Sequence, residues 1–130
     1  PDIQNLVERR LNELCQAVGL AFGVTAQLQY ERSYPATINT ADEALFAGDV
    51  AAELVGEAQV VRNMDPSMGA EDFSFMLQHK PGAYLRLGQA VSDDIIPLHN
   101  NRYDFNDDVL PLGAALHAGI IERGMPLASA

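Results

Sequence analysis

The sequence predicts an α/β fold in which helices pack against a mostly parallel sheet. Helix-like and strand-like segments alternate along the chain, and glycine or proline residues separate several of them. This alternation is typical of a layered α/β architecture. The 130 residues, 48% of them hydrophobic, suffice for one globular domain or for a small domain with an appendage.

The first two elements are a helix and a strand that lack a core of their own. Apolar residues recur at spacings of three and four over residues 3–20, which predicts a helix with one packing face. Residues 24–32 alternate between apolar and polar side chains, which predicts a strand. One helix and one strand bury too little apolar surface for independent stability. We therefore expect this strand to pair with strands from elsewhere.

The chain changes character after Tyr34-Pro35, which closes the first strand. Asn39 and Thr40 can cap a helix over residues 41–55, with Gly56 at its end. The remaining pattern predicts, in order, a strand at 58–62, a loop at 63–70, a helix at 71–79, a strand at 83–87 and a last helix at 108–122.

Charge and composition exclude several classes of function. Eight Lys and Arg against eighteen Asp and Glu give a net charge of −10, which argues against nucleic acids and anionic membranes as partners. The chain has neither a signal-peptide pattern at its N-terminus nor an apolar run near the length that spans a bilayer. A single cysteine, Cys15, cannot form an internal disulfide. These features predict a soluble, cytoplasmic protein.

One candidate site is the loop that leads into the helix predicted at 71–79. Gly69 and Ala70 permit close approach of a ligand to the backbone, and free amides at a helix N-terminus can hold an anionic group. Glu71 and Asp72 follow directly. A structural interpretation is also open, in which Asp72 caps the helix and Glu71 favours its dipole.

The second candidate is His99, which follows an apolar run just beyond a predicted strand. Ligand sites in open α/β sheets gather at such loops, and a neutral imidazole binds metals. A catalytic metal site needs about three protein ligands, and neither His79 nor His117 has a partner at ligand spacing. A purely structural role for His99 is therefore the open alternative.

Linked motifs carry a resemblance to a known family. In chain order they are YPATIN at residues 34–39, MGAEDFSF at 68–75, PGAY at 81–84, PLHNNRYDF at 97–105 and VLPLGAAL at 109–116. This order resembles the C-terminal end of the dinuclear-metal amidohydrolases. That family includes hippurate hydrolase, N-acyl-amino-acid deacylases and auxin-conjugate hydrolases.

The resemblance implies hydrolysis of the amide bond of an N-acyl amino acid, or of a small peptide, with two zinc or manganese ions. In this family a carboxylate base activates a metal-bound water, and the metals polarise the amide carbonyl. His99 matches the position of the last metal ligand. Residues Gly69, Ala70, Glu71 and Asp72 match the pocket wall near the amino-acid end of the substrate. Asn39 matches the return of the chain to the catalytic domain, and no residue is assigned a catalytic proton transfer.

The departures from the family pattern imply a partial enzyme. The Cys-x-His and Glu-Glu motifs that supply the other metal ligands and the base are absent here. Residues 1–38 resemble the second half of a ferredoxin-like lid or dimerisation domain, and residues 39–130 resemble the C-terminal part of the catalytic domain. We expect a C-terminal fragment that is inactive alone, binds no stoichiometric metal and self-associates into a homo-oligomer through residues 24–32.

Two other functions remain open on the sequence alone. The chain can be a non-enzymatic dimerisation or interaction module built on its first helix and strand. It can also be a small acidic metal-binding domain that uses Asp93, Asp94, His99 and Asp104.

Overall fold

The computed structural model describes residues 2–90 and 95–126. Within these ranges its helices are α1 (Asp2–Phe22), α2 (Ala41–Val55), α3 (Phe73–Leu77) and α4 (Leu110–Gly124), with short 3-10 turns at Glu57–Gln59 and Asp107–Val109. A helix lies at each of the four places that the sequence predicts. The bounds of α2 agree with the prediction, whereas α3 is shorter than the predicted 71–79.

The chain divides into two compact units, Pro1–Ser33 and Tyr34–Ala130. In the first unit, the chain turns back after α1 at Gly23, whose φ of 65° suits glycine. The Val24 amide donates to the Gly19 carbonyl at 2.9 Å. A Cβ atom at Gly19 would lie 2.7 Å from the Val24 carbonyl oxygen, so only glycine permits this approach. Arg32 then donates to the Glu8 carboxylate, with its Nε at 3.0 Å.

The apolar face of α1 is largely exposed. Ile3 is 73% exposed and Leu14 is 58% exposed, although both lie on the face that the sequence predicts to pack. Within the described residues of the first unit, most of this face is therefore uncovered, although its periodicity predicts that it packs.

None of the described residues forms a β-ladder, so the predicted strands at 24–32 and 83–87 have no hydrogen-bonded neighbour here. A strand is defined by that pairing, and an apolar segment without a partner is not one. Part of the strand predicted at 58–62 is instead the 3-10 turn Glu57–Gln59. The α/β class with a mostly parallel sheet stays a prediction, as does the assignment of residues 1–38 and 39–130 to a lid and a catalytic domain.

Arg62 holds the chain that leaves α2 against that helix. Its guanidinium binds Glu57 with both Nε (2.7 Å) and Nη2 (2.8 Å), and Nη2 lies 2.9 Å from Asp49 Oδ1. The hydrogen bond from Arg62 lowers the pKa of Glu57, and the bonds to Glu57 and Asp49 raise the pKa of Arg62. Gly48 provides the space, because a Cβ there would lie 2.7 Å from Arg62 Nη1. This ion-pair network accompanies the tight turn that replaces part of the predicted strand.

The core of the second unit lies between α2 and α4. Ala47 is 5% exposed and Val50 is 2% exposed, and they are the buried hydrophobic residues of the described chain. A Cβ at Gly119 of α4 would lie 2.9 Å from Val50 Cγ1. Gly124 is similarly close to the Phe46 ring, at 3.6 Å. Small residues on α4 therefore let the two helices approach closely.

Two glycines on α4 test this packing. We expect Gly119→Ala to lower the free energy of unfolding by about 1 kcal/mol, because overpacking against Val50 exceeds the gain in helix propensity. Gly113→Ala is the matched control, since its Cβ would lie at an ordinary 3.5 Å from Leu87 Cδ2. That variant should be up to about 1 kcal/mol more stable. Urea unfolding measures both, and equal effects of the two substitutions would contradict the packing described.

Candidate functional site

Residues 82–89, here called the connecting segment, link the parts of the second unit that carry the candidate residues. Its first residues contact the start of α2, and its middle residues contact the loop at 67–72. Its last residue contacts the loop that follows His99. The geometry of both candidate sites therefore depends on this segment.

Asn39 and Thr40 fix the connecting segment to α2. The Asn39 side chain donates from Nδ2 to the Tyr84 carbonyl at 3.0 Å and accepts from the Tyr84 amide at 2.7 Å. The Thr40 hydroxyl donates to the Gly82 carbonyl at 3.0 Å and accepts from the Gly82 amide at 2.8 Å. The Thr40 amide donates to the same carbonyl at 3.0 Å. These five hydrogen bonds, here called the clamp, satisfy backbone groups as a neighbouring strand would.

The clamp changes the role predicted for Thr40. Thr40 is the N-cap of α2, as the sequence predicts, but its side chain makes no capping hydrogen bond. The hydroxyl binds Gly82 instead. Asp72 behaves similarly, because it stands at the N-cap of α3 without a side-chain capping bond. The structural interpretation of Asp72 as a capping side chain is therefore wrong.

Glu71 organises the start of α3. Its Oε1 accepts from the Phe73 amide at 3.2 Å, and its carbonyl accepts from the hydroxyl of Ser74, which is 1% exposed, at 2.5 Å. The Phe73 hydrogen bond, followed by those with Asp72 and Tyr84, lowers the pKa of Glu71. These hydrogen bonds therefore favour the ionised form of the Glu71 carboxylate.

Tyr84 joins the connecting segment to this loop. Its hydrogen bond with Glu71 raises the pKa of the phenol. Its ring lies 5.7 Å from that of Phe73, and Tyr34 packs at the same distance from Phe75 on α3. These aromatic contacts help hold α3 and the start of the connecting segment in place.

Gly69 and Ala70 lie on an exposed loop. A Cβ at Gly69 would meet only Ser67 Oγ, at 3.9 Å, so the backbone here is open to an approaching ligand. The Ser67 hydroxyl accepts a hydrogen bond from Arg86 Nη2 at 2.9 Å. Glu71 is half-buried, whereas Asp72 is exposed. The four predicted pocket residues are thus contiguous on one open edge of the second unit.

His99 lies in an exposed turn with a φ of 67°, a left-handed conformation that non-glycine residues rarely adopt. The turn continues at Asn100, whose carbonyl accepts from the Tyr103 amide at 3.0 Å. The Asn100 side chain accepts from the Arg102 amide at 2.9 Å. The backbone around His99 is therefore a defined turn with its imidazole at the surface.

Gln89 ties the chain beyond His99 to the connecting segment. Its side chain donates to the Tyr103 hydroxyl and accepts from the Asn106 amide, the latter at 3.2 Å. Asn106 Nδ2 donates to the Gln89 carbonyl at 3.2 Å, and Asn106 Oδ1 accepts from the Asp108 amide at 3.1 Å. The loop that follows His99 is thus joined both to residue 89 and to the 3-10 turn that precedes α4.

The described part of the chain contains no group of three or more His, Cys, Asp or Glu residues placed to hold a metal ion. His99 therefore supplies one imidazole without two further donors in residues 2–90 and 95–126. Asp93 and Asp94, named above with His99 and Asp104, lie outside the described residues. The described contacts also do not join His99 to residues 69–72.

The structure adds residues that sequence reasoning did not assign to a site. They are Tyr84, Arg86 and Gln89 on the connecting segment. The PGAY motif ends at Tyr84 and signals that residue, whereas nothing in the sequence singles out Arg86 or Gln89. An open cleft of about 400 Å³ also exists in the first unit, lined by Asn5, Glu8, Arg9, Asn12, Leu28 and Tyr30. It contains none of the predicted site residues.

Comparison with known proteins identifies the family. The model of peptidase family M20/M25/M40 matches residues 6–123, which is most of the chain. The chain belongs to this family. The resemblance to amidohydrolases that the linked motifs carry is thereby confirmed. No solved structure gives a significant match.

Several M20 relatives are named hydrolases. The chain is 32% identical to a hippurate hydrolase of Campylobacter jejuni over 117 residues, which are 90% of this chain and 30% of that protein. It is 34% identical to thermostable carboxypeptidase 1 of Saccharolobus solfataricus, over 75% of this chain and 24% of the relative. It is 38% identical to IAA-amino acid hydrolase ILR1-like 4 of Arabidopsis thaliana, over 69% and 21%. The chain thus spans less than a third of the length of these relatives.

Thr40 tests the clamp. We expect Thr40→Val to lower the free energy of unfolding by about 1–3 kcal/mol, because the two bonds between its hydroxyl and Gly82 are lost at nearly constant side-chain volume. Amide exchange at Gly82 should accelerate in the same variant. Thr40→Ser is the control and should retain slow exchange. Unchanged exchange at Gly82 in Thr40→Val would contradict the clamp.

Glu71 makes stability depend on pH. Because its pKa in the folded chain is lowered, its contribution is complete above the unfolded pKa and is lost as the pH falls through the folded value. The unfolding free energy of the wild type should therefore fall, relative to Glu71→Gln, between about pH 5 and pH 3. Urea unfolding at several pH values measures the difference. Parallel curves for the two proteins would show that the Glu71 carboxylate is not stabilised by its neighbours.

Proposed function

We propose that this chain is the C-terminal portion of a metal-dependent amidohydrolase that cleaves the amide bond between an acyl group and an amino acid. The observation that carries this proposal is the M20/M25/M40 family match over residues 6–123. The lengths of the relatives support a partial enzyme, because the matched region is 30% of the hippurate hydrolase. The chain alone is proposed to be inactive.

The names of the relatives support the substrate class. Hippurate and IAA-amino acid conjugates are both amides of an acyl group with an amino acid, and relatives named for their hydrolysis match most of this chain. A relative named carboxypeptidase also matches, over 75% of the chain, which supports small peptides as a second class of substrate. Both classes share an amide bond next to a free carboxylate.

The site residues fit different parts of this activity. Residues 69–72 offer an exposed backbone edge for the amino-acid end of the substrate. His99, exposed on a defined turn, is proposed as one ligand of a two-metal centre of zinc or manganese. One imidazole does not make such a centre, and the described residues do not supply two further donors beside it. The remaining ligands are proposed to lie in a longer protein of which this chain is a part.

The first unit is proposed to serve in assembly. The apolar side chains of α1 are exposed, and residues 24–32 have no ladder partner among the described residues. A homo-oligomer that pairs residues 24–32 across a two-fold axis would cover both features. A cytoplasmic location remains part of the proposal. No described helix is long and apolar enough to cross a membrane.

His99→Ala in the full-length protein tests the proposed metal ligand. We expect kcat/KM for N-benzoylglycine to fall by about 100-fold or more, together with a loss of bound zinc or manganese in elemental analysis. His117→Ala is the matched control, because His117 is an exposed histidine on α4. That variant should keep both activity and metal.

The two alternative functions give different results. If the chain is an interaction module, His99→Ala leaves metal content and activity unchanged while the oligomer persists. If it is a small acidic metal-binding domain, calorimetry on residues 1–130 alone detects one tightly bound zinc ion, which His99→Ala abolishes. Either result would overturn the assignment of His99 to an amidohydrolase centre.

A further inference from the structure

Arg86 carries a positive charge beside the candidate pocket loop. Its Nη2 donates to Ser67 Oγ at 2.9 Å, two residues before Gly69. Five other arginines pair with carboxylates among the described residues; they are Arg9, Arg10, Arg32, Arg62 and Arg123. Arg86, like the seventh arginine, Arg102, forms no ion pair with any residue in the described ranges, and its side chain is exposed. Its guanidinium therefore retains donors that the described protein does not use.

The surroundings of Arg86 are otherwise acidic. Glu71 is held ionised, and both Glu71 and Asp72 act electrostatically on the Tyr84 hydroxyl. Arg86 acts on the same hydroxyl with the opposite sign, and its hydrogen bond to Ser67 places it on the loop that carries both carboxylates. An anionic ligand at this loop would meet repulsion from two carboxylates unless a cation offset it. The net charge of −10 adds to that repulsion.

We propose that Arg86 binds the free carboxylate of the amino-acid part of the substrate. This inference rests on the proposed function, which places that end of the substrate at residues 69–72. A guanidinium presents paired N–H donors that match the two oxygens of a carboxylate. The hydrogen bond to Ser67 holds the Arg86 side chain beside the loop and uses one N–H of Nη2, which leaves the other N–H donors for a ligand. Arg86 is thus a specificity-determining residue that selects substrates with a free carboxylate.

The experiment compares two ligands that differ only in this group. They are N-benzoylglycine and its neutral amide, N-benzoylglycinamide, with binding measured by calorimetry on the full-length protein. We expect Arg86→Gln to weaken binding of N-benzoylglycine by about 10- to 100-fold and to leave binding of the amide unchanged. Arg86→Lys should retain part of the preference, because it keeps the charge but not the paired donors.

Two further variants separate charge recognition from support of the loop. Ser67→Ala removes the hydrogen bond and keeps the Arg86 charge, so it should preserve most of the preference for the carboxylate. Arg10→Gln removes the same charge from an exposed position on α1 and should leave both affinities unchanged. If Ser67→Ala reproduces the loss seen in Arg86→Gln, then Arg86 only supports the loop and the inference is overturned.

Release of benzoate, measured in parallel with added zinc or manganese, distinguishes this inference from the proposed function. Hydrolysis with a carboxylate preference that survives in Arg86→Gln would overturn the inference alone. Absence of hydrolysis in the wild type, with a preference that Arg86→Gln abolishes, would overturn the proposed function and leave Arg86 as a carboxylate-binding residue. Failure of the wild type to bind either ligand would overturn both.

Discussion

The clamp formed by Asn39 and Thr40 on the backbone of Gly82 and Tyr84 is the interaction on which the second unit depends. The N–H and C=O groups of a peptide need hydrogen-bond partners where water is displaced, and here the side chains of Asn39 and Thr40 provide them. The clamp sets the connecting segment against the first turn of α2. The clamp thereby helps position the later residues of the segment, where Arg86 binds Ser67 and Gln89 binds Asn106.

The candidate residues form two groups on a common support. The loop at 67–72 is built by backbone hydrogen bonds to Glu71 and by aromatic contacts of Tyr84, and its outer edge is open. His99 lies on a separate turn, which Gln89 and Asn106 connect to the same segment. Both groups lie within the region, residues 6–123, that matches the M20/M25/M40 family. Their different chemistry, an imidazole on one turn and an exposed backbone with a nearby guanidinium on the other loop, is the basis for proposing two different roles for them.

The sequence predicts the helices well, because their apolar spacing and terminal residues are local signals. The bounds of α2 and Gly56 at its end follow from neighbouring residues alone. Local signals do not predict contacts between residues that are far apart in the chain. The pattern predicts that Thr40 caps its own helix, but its hydroxyl binds a backbone 42 residues away. A turn, with Arg62 paired to Glu57 and Asp49, lies where the sequence predicts a strand, and Gln89 belongs to no motif. The strands stay predictions because pairing depends on a partner, which no local pattern contains.

The backbone at His99 is left-handed, and the proposed metal-binding role also requires an imidazole at that position. Glycine meets the conformational demand and asparagine tolerates it well, yet neither provides an imidazole. His99 therefore adopts a backbone conformation that glycine adopts more readily. Replacement by alanine removes the ring and leaves the strain, whereas asparagine removes the ring and eases it. Comparing the alanine and asparagine variants would separate the effect of losing the imidazole from the effect of the backbone strain.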